Sequence, residues 1–228
     1  MDISLVITTY NRFDTFLYKN LVYYLENPYV KEIIIYDDCS DDYEKLRNYF
    51  QNDKIKLYRQ DKNIGALKNK ITACQVATKE WICLMDSDNF FDISYFEALF
   101  DYWNKNGKNE NYIYQPQKGF PMQDFTKYIG KVIDKDFWNT LNDECLVNNG
   151  NYVFHKSIVK FVEPILNEDI NTHAIDVKYM NYYWLKNGVS IVIVPEMYYD
   201  HTIHPGSLYI TTCKISDKFN SEFNWKII

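Results

Sequence analysis

Four short apolar runs, "ISLVIT" (3–8), "EIIIYD" (32–37), "IKLYR" (55–59) and "WICLM" (81–85), constrain the fold of this chain more than any other feature. Each is nearly continuous in apolar or β-branched residues, as a strand is when both of its faces are covered. Helical stripes lie between them. Leu17, Leu21 and Leu25 recur at i, i+4 and i+8; Tyr43, Leu46 and Phe50 make a second stripe; Leu67, Ile71, Cys74 and Ala77 make a third. This β-α-β-α-β-α-β order predicts an α/β fold, a Rossmann-like, mostly parallel sheet flanked by helices on both faces.

After about residue 110 the rhythm changes. "NYIYQ" (111–115) and "VSIVIV" (189–194) read as strands, and Val177, Met180 and Trp184 stripe a helix over 174–187 that Gly188 ends. The stretch 116–152 has no clear period. Aromatic residues in and just before it (Tyr112, Tyr114, Phe120, Phe125, Tyr128, Trp138) suit either core packing or stacking on a carbohydrate. The tail 214–228 is polar with a few aromatics and is assigned no element. With 228 residues, no repeat and no flexible linker, the chain reads as a single domain, 1–228, with halves of about 1–110 and about 111–228.

Charge and cysteine content narrow the function classes. A formal net charge of −6 does not attract nucleic acid or an anionic membrane, so any anion site must be local. The five cysteines (Cys39, Cys74, Cys83, Cys145, Cys213) are odd in number and lack the spacing of a zinc knuckle or redox motif, so reduced thiols are expected. The N-terminus has no basic leader followed by a long apolar region. No apolar run approaches the roughly 20 residues that span a bilayer. The expectation is a soluble, cytoplasmic protein without a transmembrane segment.

Ligands of open parallel sheets bind beyond the carboxyl ends of the strands. Those ends here are "TTYNR", "DDCSDD", "RQDKNIG" and "DSDN", all polar. Neither a Gly-x-Gly-x-x-Gly turn nor a P-loop follows the first strand, so something else must handle phosphate. Asp86 and Asp88 answer that need. Alternate residues leaving a strand point the same way, and their hard carboxylate oxygens suit Mn²⁺ or Mg²⁺, which also bridges to a diphosphate. Asp134-Lys135-Asp136 repeats the pattern away from any strand end and reads as a turn or helix cap.

"SLVITTYNR", "IIIYDDCSDD", "NIGALKNKITACQVATKEWICLMDSD" and "NNGNYVF" resemble the family 2-type glycosyltransferases of the GT-A fold, well over residues 3–90 and loosely beyond. The resemblance implies a GT-A catalytic domain with a nucleotide-sugar-binding first half and an acceptor-binding second half. It implies that Thr8, Tyr10 and Arg12, then Asp37 and Asp38, hold the nucleoside; a carboxylate after strand two also suits a ribose or base hydrogen bond. Asp41 reads as the cap of the helix that follows. Asn63, Gly65 and Lys68 match the family's Asn-x-Gly segment at a helix start, with Lys68 in place of the more usual Arg, where an anion is favoured. Asp86 and Ser87 fall in the nucleotide-sugar site. Asp86, Asp88 and His204 of "HPGSLYIT" make the metal set for Mn²⁺ or Mg²⁺, with His201 as the alternative histidine. Asp176 is the implied catalytic base at the start of the late helix. The family's usual Glu-Asp pair is Ile175-Asp176 here, and Glu168 or Asp169 is the alternative.

The implied activity is inverting, metal-dependent transfer of a sugar from a UDP- or GDP-sugar to a hydroxyl on a glycan, lipid-linked or protein acceptor. Two other classes stay open. A nucleotidyltransferase is disfavoured by the glycine-poor "TTYNR". An inactive nucleotide- or sugar-binding module is disfavoured by the intact Asp86, Asp88 and Asp176.

Overall fold

The computed structural model describes residues 2–49, 51–141 and 150–228. Phe50 of the second helical stripe, Cys145, and Asn148 and Asn149 of "NNGNYVF" lie outside the described residues. The four apolar runs form β1 (Ile3–Thr9), β2 (Val30–Asp37), β3 (Ile55–Arg59) and β4 (Trp81–Asp86), all parallel, in the order β3-β2-β1-β4. A π-helical turn (Phe13–Leu17) runs into α1 (Tyr18–Glu26); α2 (Tyr43–Tyr49) and α3 (Ala66–Gln75) make the other two crossovers.

Alternation along the strands sorts the core into two layers. Leu5, Ile7, Ile33, Ile35, Cys83 and Met85 face one side, with Leu17, Leu21 and Leu46. Val6, Ile34, Ile82 and Leu84 face the other, with Leu67, Ile71 and Cys74 of α3. Thr8 pairs with both Tyr36 and Asp86, so the polar strand ends finish level with one another.

The helix α4 (Ser94–Asn106) follows β4 and is absent from the expected elements, although Tyr95, Leu99 and Trp103 repeat the i, i+4, i+8 stripe of α1. Beyond it, β5 (Tyr112–Phe120) and β9 (Ser190–Asp200) pair in parallel and extend past the expected ranges. A register shift between Pro116 and Lys118, opposite Pro195 and a positive φ at Glu196 (62°), marks an irregularity that lets both strands continue.

The aperiodic stretch holds short pieces: β6 (Gln123–Asp124), β7 (Val132–Ile133), α5 (Lys135–Trp138) and β8 (Tyr152–His155). β8 is inserted antiparallel between β4 and β5, giving the order β3-β2-β1-β4-β8-β5-β9-β7, with β6 on β5. Asp134 caps α5 by accepting from Phe137 N at 2.8 Å, the cap expected of that motif. Of the aromatic residues in this region, Tyr114, Phe125, Tyr128 and Trp138 are buried core, Tyr112 is half-buried and Phe120 is exposed.

The late helix is α6 (Asp176–Lys186), and Gly188 (φ 82°) ends it as expected. The tail forms α7 (Leu208–Glu222), then buries Trp225 and Ile227. Trp138 Nε1–H donates to the Trp225 carbonyl at 2.9 Å, and Asn139 both donates to and accepts from the Ile227 backbone. The Lys178 ammonium sits 4.0 Å from the centre of the Trp225 ring.

The expected cap of α2 is corrected: the position belongs to Asp42. Its carbonyl accepts the first helical bond from Leu46 N, while its carboxylate turns to Phe13 N at 3.1 Å and ties the turn after β1. Asp41 is exposed and donates its N–H to Asn11 Oδ1.

Candidate active site

The chain leaving β1 is locked to the chain leaving β2. Asn11 (φ 53°) donates its N–H to Ser40 Oγ at 2.8 Å, and its side chain accepts from Asp41 N at 2.8 Å. Asp37 is fully enclosed; its Oδ2 accepts from Ser40 N at 2.9 Å and faces Arg59 Nε at 3.6 Å. Asp38 accepts from Ile64 N at 2.8 Å and Gly65 N at 3.0 Å, so it shapes the loop that opens α3. Burial raises its pKa; the two N–H bonds oppose this, and neighbouring Asp37 adds to it. Asn63 also accepts from Gly65 N, and Gly65 takes a φ of 85° that L side chains avoid. Thr8 and Ser87 are buried, while the Tyr10 ring is exposed.

A cleft of about 250 Å³ opens here, lined by Asn63, Gly65, Leu67, Lys68, Asn171 and Thr172 among others. Lys68 reaches across it to donate to the Glu168 carbonyl at 2.7 Å. The Glu168 carboxylate accepts from the Tyr179 hydroxyl at 2.7 Å and from the Tyr183 hydroxyl, and Asp169 is exposed.

Two residues along α3 the helix has turned by about 200°. Lys70 therefore points inward, only 5% exposed. Its Nζ lies 2.8 Å from Asp86 Oδ1 and 2.7 Å from Asp176 Oδ2. Burial opposes its charge, but the carboxylates of Asp176 and Asp86 outweigh that and hold its pKa well above the ordinary lysine range. Asp86 ends β4 and Asp176 begins α6, so two carboxylates far apart in sequence share one ammonium. Lys70 was not among the residues singled out from sequence; its signal is a lysine directly before Ile71 on the apolar face of α3.

Asn151 Oδ1 accepts from Asp86 N at 3.0 Å and from Asn89 Nδ2 at 3.2 Å, fixing the turn that carries both acids. Gly150 backs the cluster. A Cβ there would stand 3.5 Å from Lys70 Nζ, 3.6 Å from Asp86 Oδ2 and a forbidding 2.7 Å from Val177 Cγ2.

Asp88 turns the other way. Its Oδ2 meets His204 Nε2 at 3.0 Å, and the His204 ring packs 4.6 Å from that of Phe16. Arg12 donates to the Gly206 carbonyl, so the segment after β9 is tied to both β1 and β4. His201 stands apart from Asp88 in this network, and its buried Nδ1 has no hydrogen-bond partner among the described residues.

The structure thus joins Asp86 to Asp176 through Lys70, and Asp88 to His204. It places Lys68 on the cleft instead, bonded to the Glu168 carbonyl. No group of three His, Cys, Asp or Glu gathers as a metal cage among the described residues. Asp88 and His204 offer one carboxylate and one imidazole. That donor set fits Mn²⁺ or Mg²⁺, which take few protein ligands when phosphate oxygens and water supply the rest.

The model of the Glycosyl transferase family 2 matches residues 4–161. Among solved structures, S. aureus TarS 1–349 in complex with UDP-GlcNAc superposes with a TM-score of 0.69 at 17% identity, over 91% of this chain and 60% of that one. TarS 1–349 in complex with UDP gives 0.63 at 17% identity, over 99% of this chain and 68% of that one. A longer TarS structure gives 0.61 at 17% identity, and there this chain spans 41% of its partner. These likenesses establish a shared fold. The family match covers more than half of the sequence and runs from β1 through the acidic turn after β4 to β8: the chain belongs to glycosyl transferase family 2.

Proposed function

We propose that this protein transfers a sugar from a nucleoside-diphosphate sugar to an acceptor hydroxyl, with inversion at the anomeric carbon and with a divalent metal. The observation that supports this most is the meeting of Asp86, at the donor end of the sheet, with Asp176, at the start of α6, across one ammonium.

The nucleoside lies against the ends of β1 and β2, with Thr8, Tyr10 and Arg12 on one side and the loop held by Asp37 and Asp38 on the other. The cleft lined by Asn63, Gly65 and Lys68 continues that surface. A UDP-sugar is the first donor to test, since a fold relative holds UDP-GlcNAc; a GDP-sugar is the second. Asp86 and Ser87 face the donor sugar. Asp88 and His204 would hold Mn²⁺ or Mg²⁺, which supplies positive charge against the leaving diphosphate. Asp176 takes the proton of the acceptor hydroxyl as its oxygen bonds to the anomeric carbon. The bond to the diphosphate breaks on the opposite face, so the configuration inverts. The acceptor is a hydroxyl of a glycan, a lipid-linked sugar or a protein. Among the described residues no helix is long and apolar enough to cross a membrane.

A panel of UDP- and GDP-hexoses, incubated with Mn²⁺ or with EDTA, tests the proposal. The expected result is nucleoside diphosphate release with one donor in Mn²⁺ only. It should come with a thermal upshift corresponding to about 2.7 kcal/mol at 100 times the dissociation constant. No release and no stabilisation by any donor would overturn it.

A further inference from the structure

Lys70 has no place in the reaction as set out so far, yet it touches both carboxylates that matter most to it. We propose that Lys70 is a positioning residue for transfer: its ammonium spans Asp86 and Asp176 and thereby holds the base at a fixed place beside the donor sugar. The inference rests on the reading of Asp176 as the base.

Three observations carry it. First, the contacts are short and the group is enclosed. Nζ is 2.8 Å from Asp86 Oδ1 and 2.7 Å from Asp176 Oδ2, on a residue 5% exposed. A buried charge persists where it is paired and hydrogen-bonded, and both partners here are ionisable groups at the site. Second, the three residues come from three rigid elements, α3, β4 and α6, and Lys70 and Asp176 are 106 positions apart. The ammonium is therefore a fixed point between them. Third, Gly150 lets the backbone approach to where a Cβ would stand 3.5 Å from Nζ and 3.6 Å from Asp86 Oδ2. The backbone closes in on the bridge, and any larger residue at 150 must displace Val177, the neighbour of Asp176.

The two carboxylate oxygens lie no further apart than the two contacts end to end. Without a cation between them, like charges at that range repel, and the Asp176 side chain is driven from its place. Lys70 touches neither the sugar nor the acceptor in this account. It acts on rate through Asp176, with Asp86 as the anchor on the other side of the ammonium.

The test uses the donor selected by the UDP- and GDP-hexose panel and follows nucleoside diphosphate release for wild type, Lys70→Met, Lys70→Arg, Asp176→Asn and the double variant Lys70→Met/Asp176→Asn. Lys70→Met should lower kcat about 100-fold while the donor KM moves by less than about threefold. Lys70→Arg should recover at least about tenfold of that loss, because it restores the charge. The double variant should be no slower than Asp176→Asn alone, since a residue acting through the base has nothing left to position. Additive losses in the double variant, or a Lys70→Met enzyme as fast as wild type beside a slow Asp176→Asn, overturn the proposal and leave the function standing. If Lys70→Met does not fold, melting curves show it, and Lys70→Arg decides: a rate within about tenfold of wild type supports the bridge, and a folded but inactive Lys70→Arg refutes it. Asp176→Asn at the wild-type rate, or no turnover of any donor by wild type, overturns the functional reading itself.

Discussion

The units from β1 to β4 and the chain beyond α4 are built on opposite principles. In the first, each strand is followed by a crossover helix and pairs in parallel with β1 or β2, with one register shift at Ile3/Ser4. In the second, strands of two to four residues alternate with turns, β8 runs antiparallel between two others, and the last eleven-residue strand returns to pair with β5. The regular part contributes Asp86, Asp88 and Lys70; the irregular part contributes Asp176 and His204. The difference teaches a division of labour. On the proposed function, the repeated βα frame sets the place of the nucleotide-sugar, and a patchwork of non-local contacts brings the remaining groups to it.

The comparison breaks first at the base. Asp176→Asn should lower kcat by about 10²- to 10⁴-fold with donor affinity nearly unchanged. An equal loss of donor affinity, read by calorimetry, would erase the division between the two parts. The mirror experiment is Asp88→Asn. Mn²⁺-dependent UDP binding should disappear while the melting temperature stays near that of wild type. Retained Mn²⁺ enhancement would remove Asp88 from the metal set.

Packing offers a second pair of tests. Trp225→Ala should cost about 3 kcal/mol in chemical denaturation, because it empties a site that Trp138, Tyr179, Tyr182 and Phe223 surround. Ile34→Val, a one-carbon deletion on the same face of the regular sheet, should cost only about 1 kcal/mol. A reversed ranking would show that the tail only drapes over the core.

A last test is at the start of β2. Glu32 is buried, which favours its neutral form, but Lys56, Ser4 and Thr78 outweigh burial and bring its pKa from 4.5 to about 2. Its folded pKa is depressed, so its stabilisation is present above the unfolded value of 4.5 and is lost as pH falls towards about 2. Glu32→Gln should therefore weaken the protein at pH 7 and flatten the acid limb of its stability curve between those values. An unchanged acid limb would remove Glu32 from that account.

Legibility in the sequence follows the same division. β1 to β4 are readable because burial on both faces leaves unbroken apolar runs, and local pairing needs nothing more. β6, β7 and β8 are too short to show a period, and the partners of β7 and β8 lie far along the chain. The tail escaped assignment because Trp225 and Ile227 dock on residues far along the chain, among them Trp138, Asn139, Tyr179 and Tyr182. In the candidate site, Asp86 and Asp88 stand out because charge at the end of a buried strand is anomalous. Lys70 does not stand out, because its partners lie on β4 and α6. Lys68, read from the Asn-x-Gly segment, lies on the same turn of α3 but faces the cleft, whereas the bridge lies on the inward face.

The stereochemistry of donor hydrolysis tests the central claim most directly, because water can serve as the attacking hydroxyl and no acceptor need be known. Proton NMR follows the sugar freed from the α-linked UDP- or GDP-hexose that the panel selects, before its anomers equilibrate. The account predicts that the β-anomer appears first, as one displacement assisted by Asp176 requires. Initial appearance of the α-anomer would contradict it, even with the fold and the nucleotide site intact.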